Sequence, residues 1–375
     1  MHYRTLGKTG IEVSCIGLGG MGFMLGGRDI EERAAKTVEA ALNGGINVID
    51  TARTYYNSEE YIGKALAGLK GRYPAPLLAS KTYRRDAQGA YREVVSSLNA
   101  MKLGTIDIYY THHVQYEYEL EKILGAGGAL EGLEKARKEG KIRLIGISSH
   151  HPGVMEQAVS SDRFDVIQVP LNPVEKEQFL PAIEEAARRQ KGVFIMKPLA
   201  GGHIKSVEEA LRFALSFDVS CVLVGAATPE QITLDCSVGA TAAGLSEEEK
   251  VLLQEEINSL DEVFCRRCRY CEKHCPQEIK ISDVFRCENY LILNAPYARE
   301  EYRRLLKNAT HCEACGKCET ICPYRLPIRK MLQKAHERLT KGRLEDKIIW
   351  ILRKLRLYDR VRNLYFKLKL PLPKR

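Results

Sequence analysis

Between residue 13 and about residue 240, short apolar runs rich in β-branched residues alternate with longer stretches whose apolar positions recur every three or four residues. The runs VSCIGLG (13–19), INVID (46–50), PLLASK (76–81), IDIYYTH (106–112), IRLIGIS (142–148), FDVIQV (164–169), GVFIMK (192–197) and SCVLVG (220–225) read as strands. The segments between them, such as IEERAAKTVEAALNG and FLPAIEEAARRQKG, read as amphipathic helices ending in glycine. Regular alternation of the two implies a parallel sheet. Eight repeats in about 230 residues predict a closed (β/α)8 TIM barrel, with an open doubly wound sheet as the alternative.

The pattern changes after residue 244. LSEEEKVLLQEEINSLDE (245–262) begins with Ser246 and has Glu249 three residues on, a capping box that opens a helix. SDVFRCENYLILN and AREEYRRLLKNA, on either side of Ala295-Pro296, and then PIRKMLQKAHERLTKG continue the helical pattern. The expected organisation is therefore a barrel over 1–244, a smaller mostly helical domain over 245–340 and a tail over 341–375. A chain of 375 residues, 45% hydrophobic and 28% charged, has enough material for a large core. It holds no run of eighteen uncharged apolar residues that would predict a transmembrane helix. MHYRTLGKTGIEV lacks the apolar core and cleavage site of a secretory signal, so the expected location is cytoplasmic.

Charge adds something the periodicity does not show. The formal net charge is +9, and residues 341–375 alone hold twelve Lys or Arg against three Asp or Glu. The rest of the chain is formally neutral, so the basic character belongs to the tail. Within RLEDKIIWILRKLRLYDRVRNLYFKLKL (343–370), Leu344, Ile348, Ile351, Leu352 and Leu355 share one helical stripe with Lys and Arg opposite. Two readings fit: a helix lying on an anionic membrane surface, which would place the protein on the inner face of the membrane, or a helix packed on protein. Nucleic acid would leave the aliphatic stripe without a role, so none is expected.

In a (β/α)8 barrel, chemistry sits at the C-terminal ends of the strands. Strand two ends in Asp50 and enters a loop with Tyr55; strand three ends in Lys81; strand four ends in His112. Singly, each has an ordinary explanation as a helix cap, a solvated cation or a packing ring. Together, on three consecutive strands, they form an acid-base set.

The order and spacing of YRTLGKTGIEVSCIGLGGMG, DTARTYYNSE, SKTY, IDIYYTHH and IRLIGISS resemble the aldo-keto reductase family over roughly residues 3–235. The resemblance implies that Tyr55 donates a proton, Lys81 lowers its pKa, Asp50 pairs with Lys81 and His112 orients a carbonyl. An unperturbed phenol near pKa 10 needs such an ammonium to work near neutral pH. The implied reaction is hydride transfer between NADP or NAD and a small-molecule carbonyl or alcohol. Spacing from Asp107 selects His112 over His113, which is expected in a loop or on the outer face. The same resemblance implies that Ser148, Gln168 and Asn172 meet the nicotinamide. Lys197 and Gly201 in KPLAGG, and Gly225, Thr228 and Gln231 in VGAATPEQI, are implied to meet the rest of the dinucleotide. Two departures stand out: Leu171 where an aromatic often stacks, and Ala226, Ala227 and Thr228 where an Arg often meets a 2'-phosphate.

Eight of the twelve cysteines fall in CRRCRYCEKHCP (265–276) and CEACGKCETICP (312–323). Both have the form C-x2-C-x2-C-x3-C-P, in which three thiolates hold one iron-sulfur cluster and the fourth turns to its neighbour. This predicts two [4Fe-4S] clusters, one on Cys265, Cys268, Cys271 and Cys322, the other on Cys312, Cys315, Cys318 and Cys275. Zinc is the alternative. The segment resembles a two-cluster ferredoxin-type domain, with helical sequence over 276–311 between the motifs. Such clusters imply a ferredoxin- or flavodoxin-like electron carrier as partner. Cys15, Cys221, Cys236 and Cys287 read as buried structural thiols. Clusters move single electrons and nicotinamide takes a hydride, while no flavin motif joins them, so a barrel reduced to an electron-transfer module is the competing reading.

Overall fold

The computed structural model describes residues 1–25, 29–241, 244–260, 263–291 and 294–341. The basic helix expected beyond residue 341 lies outside the described residues. Strands β1 (Tyr3–Thr5) and β2 (Glu12–Ser14) pair as an antiparallel hairpin. Eight parallel strands then close into a barrel: β3 (Ile16–Gly19), β4 (Val48–Asp50), β5 (Leu77–Thr82), β6 (Ile106–Thr111), β7 (Ile142–Ser148), β8 (Val166–Pro170), β9 (Gly192–Met196) and β10 (Cys221–Val224). Each of the eight expected runs overlaps one barrel strand.

The first run differs in extent. Residues 13–19 do not form one strand, because the chain changes partner at Ser14 and Cys15. Ser14 N–H donates to Asn47 Oδ1 (2.7 Å), the Ser14 hydroxyl donates to Ile16 O (2.7 Å), and Cys15 N–H donates to His2 O (2.9 Å). Before this point the strand belongs to the hairpin, and after it to the barrel.

Helices α1 (Ile30–Asn43), α2 (Ser58–Gly68), α3 (Ala87–Met101), α4 (Glu117–Leu124), α5 (Ala129–Lys138), α6 (Pro152–Ser160), α7 (Leu180–Arg188), α8 (Val207–Leu215) and α9 (Pro229–Thr241) run between and after the strands. Strand parity sorts the core. Ile49, Leu78, Tyr109, Ile145 and Ile167 pack outward against helix residues such as Ala34, Val94 and Leu133. Val48, Ala79, Ile108, Tyr110, Val166 and Phe194 pack inward, with Leu6 and Val13 of the hairpin among them. Gly146 makes room for one of these rings: a Cβ there would stand 2.3 Å from Tyr110 Cδ1.

α10 (Glu247–Ser259) carries the expected capping box, with Glu249 N–H donating to Ser246 Oγ (3.2 Å) and Ser246 N–H to Glu249 Oε2 (2.8 Å). The chain divides into compact units after Ser259, so α10 goes with the barrel and not, as the 244/245 boundary expected, with the cysteine-rich part. Glu249 pairs with Arg212 of α8 (2.6 Å), and the Glu256 carboxylate accepts from Ser206 N–H (3.2 Å).

The unit beginning at Leu260 contains α11 (Tyr270–Lys273), α12 (Ile281–Asn289), α13 (Ala295–Arg304), α14 (Lys317–Thr320) and α15 (Ile328–Thr340). Asn294 caps α13 by accepting from Tyr297 N–H (3.0 Å). Buried Arg286 of α12 contacts buried Asp283 (3.2 Å) and Glu301 of α13 (3.8 Å), fastening these helices. The two cysteine motifs also repeat their backbone. Arg267, Arg269 and Glu278 in the first, and Ala314, Gly316 and Arg325 in the second, take positive φ at equivalent positions, and α11 and α14 fall in register.

Candidate active site and cysteine-lined cavities

Parity brings the polar residues of the mouth together. Counting up in steps of two from inward-facing Val48, Ala79, Ile108 and Val166 gives Asp50, Lys81, His112 by way of Tyr110, and Gln168. Asp50 ends β4, Lys81 is the last but one residue of β5, His112 follows β6 directly, and Gln168 lies two residues before the end of β8. Lys81 and Asp50 are both buried and form an ion pair. The Lys81 ammonium also donates to Thr51 O (2.7 Å), and Gln168 Nε2 donates to Asp50 Oδ2 (3.3 Å). Burial pushes Lys81 down from its ordinary pKa and Asp50 up, while their mutual attraction opposes both movements.

Tyr55 lies on the loop after β4, held in successive turns by Tyr55 N–H to Ala52 O (2.9 Å) and Ser58 N–H to Tyr55 O (3.0 Å). Lys81 Nζ is 5.4 Å from the centre of its ring. The His112 ring meets Tyr55 edge-on, with centroids 5.7 Å apart and planes at 82°. Thr54 Oγ1 is 3.4 Å from His112 Nδ1. The four residues named from the sequence thus share one site.

His113 lies in the loop after β6, one of its two expected places, and is buried. Its φ of +54° turns the chain, and its ring meets His150 edge-on at 5.0 Å while Nδ1 bonds the Tyr83 hydroxyl. Its N–H donates to Ser148 Oγ (2.9 Å). Two groups were not anticipated from the sequence. Arg85, the second arginine of the pair that follows Lys81-Thr82-Tyr83, donates to the carbonyls of His112 (3.0 Å) and His113 (3.2 Å) and pairs with Glu119 (3.0 Å). Buried Glu59 pairs with Arg53 and accepts from the Ser80 hydroxyl (2.6 Å), tying the Tyr55 loop to β5.

The residues implied for a dinucleotide fall into two groups. Ser148, at the end of β7, and Gln168, in the middle of β8, are buried and directly across from one another in the ladder. Asn172 spends its polar groups on its own loop and on the loop after β9. Its amide donates to Glu175 Oε2 (2.9 Å) and Lys197 O (3.1 Å), and its oxygen accepts from Val174 and Glu175 N–H (3.0 Å each). Leu171 packs in the outer core. Lys197 follows β9 at positive φ, and Gly201 is exposed at φ +75° with nothing near its missing Cβ. Gly225 is exposed after β10. Gln231 accepts from Ala227 N–H (2.8 Å) and its own N–H reaches Thr228 Oγ1 (3.4 Å), so the pair shapes the start of α9.

In the second unit the cysteines line two cavities. One is bordered by Cys275, Cys312, Cys315 and Cys318. The other is bordered by Cys265, Cys268, Cys271 and Cys322. Each takes three cysteines from one motif and the cysteine before proline from the other. The left-handed residues at matching places in both motifs reverse the chain between successive cysteines, a backbone form that turns N–H groups toward an anionic guest.

The aldo/keto reductase family profile matches residues 15–209, just over half of the chain. The chain belongs to the aldo/keto reductase family. A second profile, a 4Fe-4S dicluster domain, matches residues 257–337 of this aldo/keto reductase. Among relatives, the aldo-keto reductase YhdN of Bacillus subtilis is 34% identical over 192 residues, covering 47% of this chain and 56% of that one. The chain spans 48% to 66% of the length of the first curated relatives it matches. Among solved structures, the holo form of aldo-keto reductase AKR11C1 from Bacillus halodurans is 25% identical. It covers 68% of this chain and 96% of that one, with a TM-score of 0.57. An aldo-keto reductase of Klebsiella pneumoniae in complex with NADPH shares the fold at 21% identity, covering 68% of this chain and 95% of that one, with a TM-score of 0.56. Among the described residues no helix is long and apolar enough to cross a membrane.

Proposed function

We propose that the barrel catalyses hydride transfer between a nicotinamide dinucleotide and a small carbonyl or alcohol, and that the second unit holds two [4Fe-4S] clusters that exchange electrons with a separate carrier. The observation that carries the first part is the meeting of the Tyr55 ring with both the buried Lys81–Asp50 pair and the His112 ring. In the reducing direction Tyr55 gives its phenolic proton to the developing alkoxide, and the Lys81 charge favours the phenolate left behind. Asp50, steadied by Gln168, keeps that charge in place despite its burial. His112, its backbone gripped by Arg85, orients the substrate oxygen. The bound nicotinamide supplies or accepts the hydride. Ser148 and Gln168 retain polar atoms for its carboxamide, and Asn172 serves as the tie between the loops after β8 and β9. The loop around Gly201 admits close approach of phosphate to backbone N–H groups.

For the second part, the two four-cysteine cavities suit a cubane with one thiolate on each iron, and the bound clusters supply one-electron chemistry. The test is anaerobic purification followed by addition of NADH or NADPH and a small carbonyl panel to wild type and Tyr55→Phe. Tyr55→Phe is expected to lose carbonyl turnover by roughly a hundredfold or more, with iron and sulfide content unchanged. Unchanged turnover in Tyr55→Phe would assign the redox function to the clusters alone. Nucleotide-driven bleaching of the clusters in wild type would join the two activities electronically.

A further inference from the structure

Two tyrosines meet the His112 ring. Tyr55 does so from the loop after β4, with centroids 5.7 Å apart. Tyr83 does so from the end of β5 and stands closer, at 4.8 Å with planes at 62°. Its place follows from the ladder. Thr82 pairs with Thr111 across β5 and β6, and His112 N–H donates to Thr82 O (2.8 Å), so the next residue of each chain emerges beside the other. Tyr83 is also two positions beyond inward-facing Lys81. His113 completes the arrangement. In an extended strand its ring would point away from that of His112. Its φ of +54° breaks the alternation: the two rings stand 6.2 Å apart, and the Tyr83 ring centre is 5.8 Å from that of His113. A residue with a side chain keeps a positive φ only where its surroundings hold it there. Here the His113 N–H donates to Ser148 Oγ (2.9 Å), Arg85 donates to its carbonyl (3.2 Å), and its Nδ1 bonds the Tyr83 hydroxyl. Gln115 Nε2, 3.2 Å from the same nitrogen, and the Arg85 guanidinium, 5.6 Å from the centre of the Tyr83 ring, close the group.

Resting on the catalytic reading above, we propose that Tyr83 is a positioning residue for the reaction: His113 anchors its hydroxyl, and its ring sets the angle at which His112 faces Tyr55 and the substrate oxygen. The left-handed turn at His113 serves this by carrying the anchoring nitrogen round to Tyr83. Tyr83 itself neither takes nor gives a proton. Transfer between positioned groups depends steeply on their geometry, so a His112 ring left to turn slows the chemical step without weakening the hold on the dinucleotide.

The test uses the full-length holoprotein, NADH or NADPH, and the small carbonyl panel above with 4-nitrobenzaldehyde included. Wild type and Tyr55→Phe are run first: no turnover by wild type, or turnover that survives Tyr55→Phe, overturns the catalytic reading and this inference with it. With that reading standing, Tyr83→Phe keeps the ring and loses its anchor, and His113→Leu breaks the same bond from the other side. Each is expected to lower kcat roughly tenfold while KM and dinucleotide affinity change less than about twofold, with a primary isotope effect from C4-deuterated nicotinamide no smaller than that of wild type. Because both break one bond, Tyr83→Phe/His113→Leu is expected to fall no further than the worse single change. His113→Asn should recover most of the loss, since asparagine tolerates positive φ and offers its amide at the same number of bonds from Cα as Nδ1. If leucine at positive φ keeps His113→Leu from folding, Tyr83→Phe decides alone. Unchanged kcat in Tyr83→Phe, multiplied losses in the double variant, a smaller isotope effect, or a rise in KM alone, which would make Tyr83 a substrate contact, each overturns the proposal.

Discussion

Asp235 of α9 is buried, and among the described residues no hydrogen bond or ion pair to its carboxylate accompanies that burial, which pushes its pKa from an ordinary 3.8 up to about 7. The sign of the consequence follows from linkage. Below pH 3.8 the acid is neutral whether the chain is folded or not, and costs nothing. Between 3.8 and 7 the unfolded chain releases this proton while the folded chain keeps it, so stability falls as pH rises. Above 7 the folded protein carries the full cost of a buried carboxylate, ~4 kcal/mol at about 1.4 kcal/mol per tenfold change in the proton equilibrium. Asp235→Asn keeps the size and removes the charge. It is expected to stabilise the barrel by ~1.5 kcal/mol at pH 5 and ~4 kcal/mol at pH 8. For a domain of this size that gap widens the Tm difference on the order of 5–10 °C between the two pH values. Anaerobic calorimetry of wild type and variant from pH 5 to 8.5 measures it. A Tm difference that stays flat across this range would refute the reasoning, since a packing change has no reason to follow a single acid's titration.

Cys322→Ser should remove the EPR signal of the cluster shared with Cys265, and Cys265→Ser/Cys322→Ser should lose no more iron than either single change; a larger loss would mean the two do not share a cluster. Arg85→Met, which releases the backbone of His112 and His113, should lower kcat by roughly tenfold with little change in dinucleotide affinity, read from steady-state kinetics against fluorescence titration. Gly146→Ala places a methyl 2.3 Å from the Tyr110 ring and should destabilise the barrel by ~1–3 kcal/mol in thermal unfolding.

Strand number, order and inward parity were legible because a period of two and a period near four leave different marks on the sequence. The convergence of Asp50, Lys81 and His112 follows from that parity once strand ends are known. The hairpin at residues 3–14 was not legible, because Val13 and Ile16 sit in one apolar run and the change of partner depends on Ser14 meeting Asn47, 33 positions away. Arg85 and Glu59 escaped notice for a similar reason: a charged residue in a loop or in the first turn of a helix looks solvated until its partners are known. The four hydrogen bonds that Asn172 makes within the protein were likewise not legible, because their partners Glu175 and Lys197 are fixed by loop geometry. The boundary after Ser259 was obscured because the helix before it is acidic and exposed on much of its surface, with only Leu253 and Ile257 buried.

The exchange of the proline-linked cysteines, with Cys322 standing at the cavity of the first motif and Cys275 at that of the second, has a consequence for assembly. A half-built unit has no complete ligand set: the chain from 265 to 275 must already lie beside the chain from 312 to 322 before either cluster can have its fourth thiolate. On the two-cluster reading, loading either cavity requires both motifs to lie together, so the first cluster to load already fixes the relative positions of all eight cysteines. A substitution in one motif is then expected to be felt at the cavity of the other.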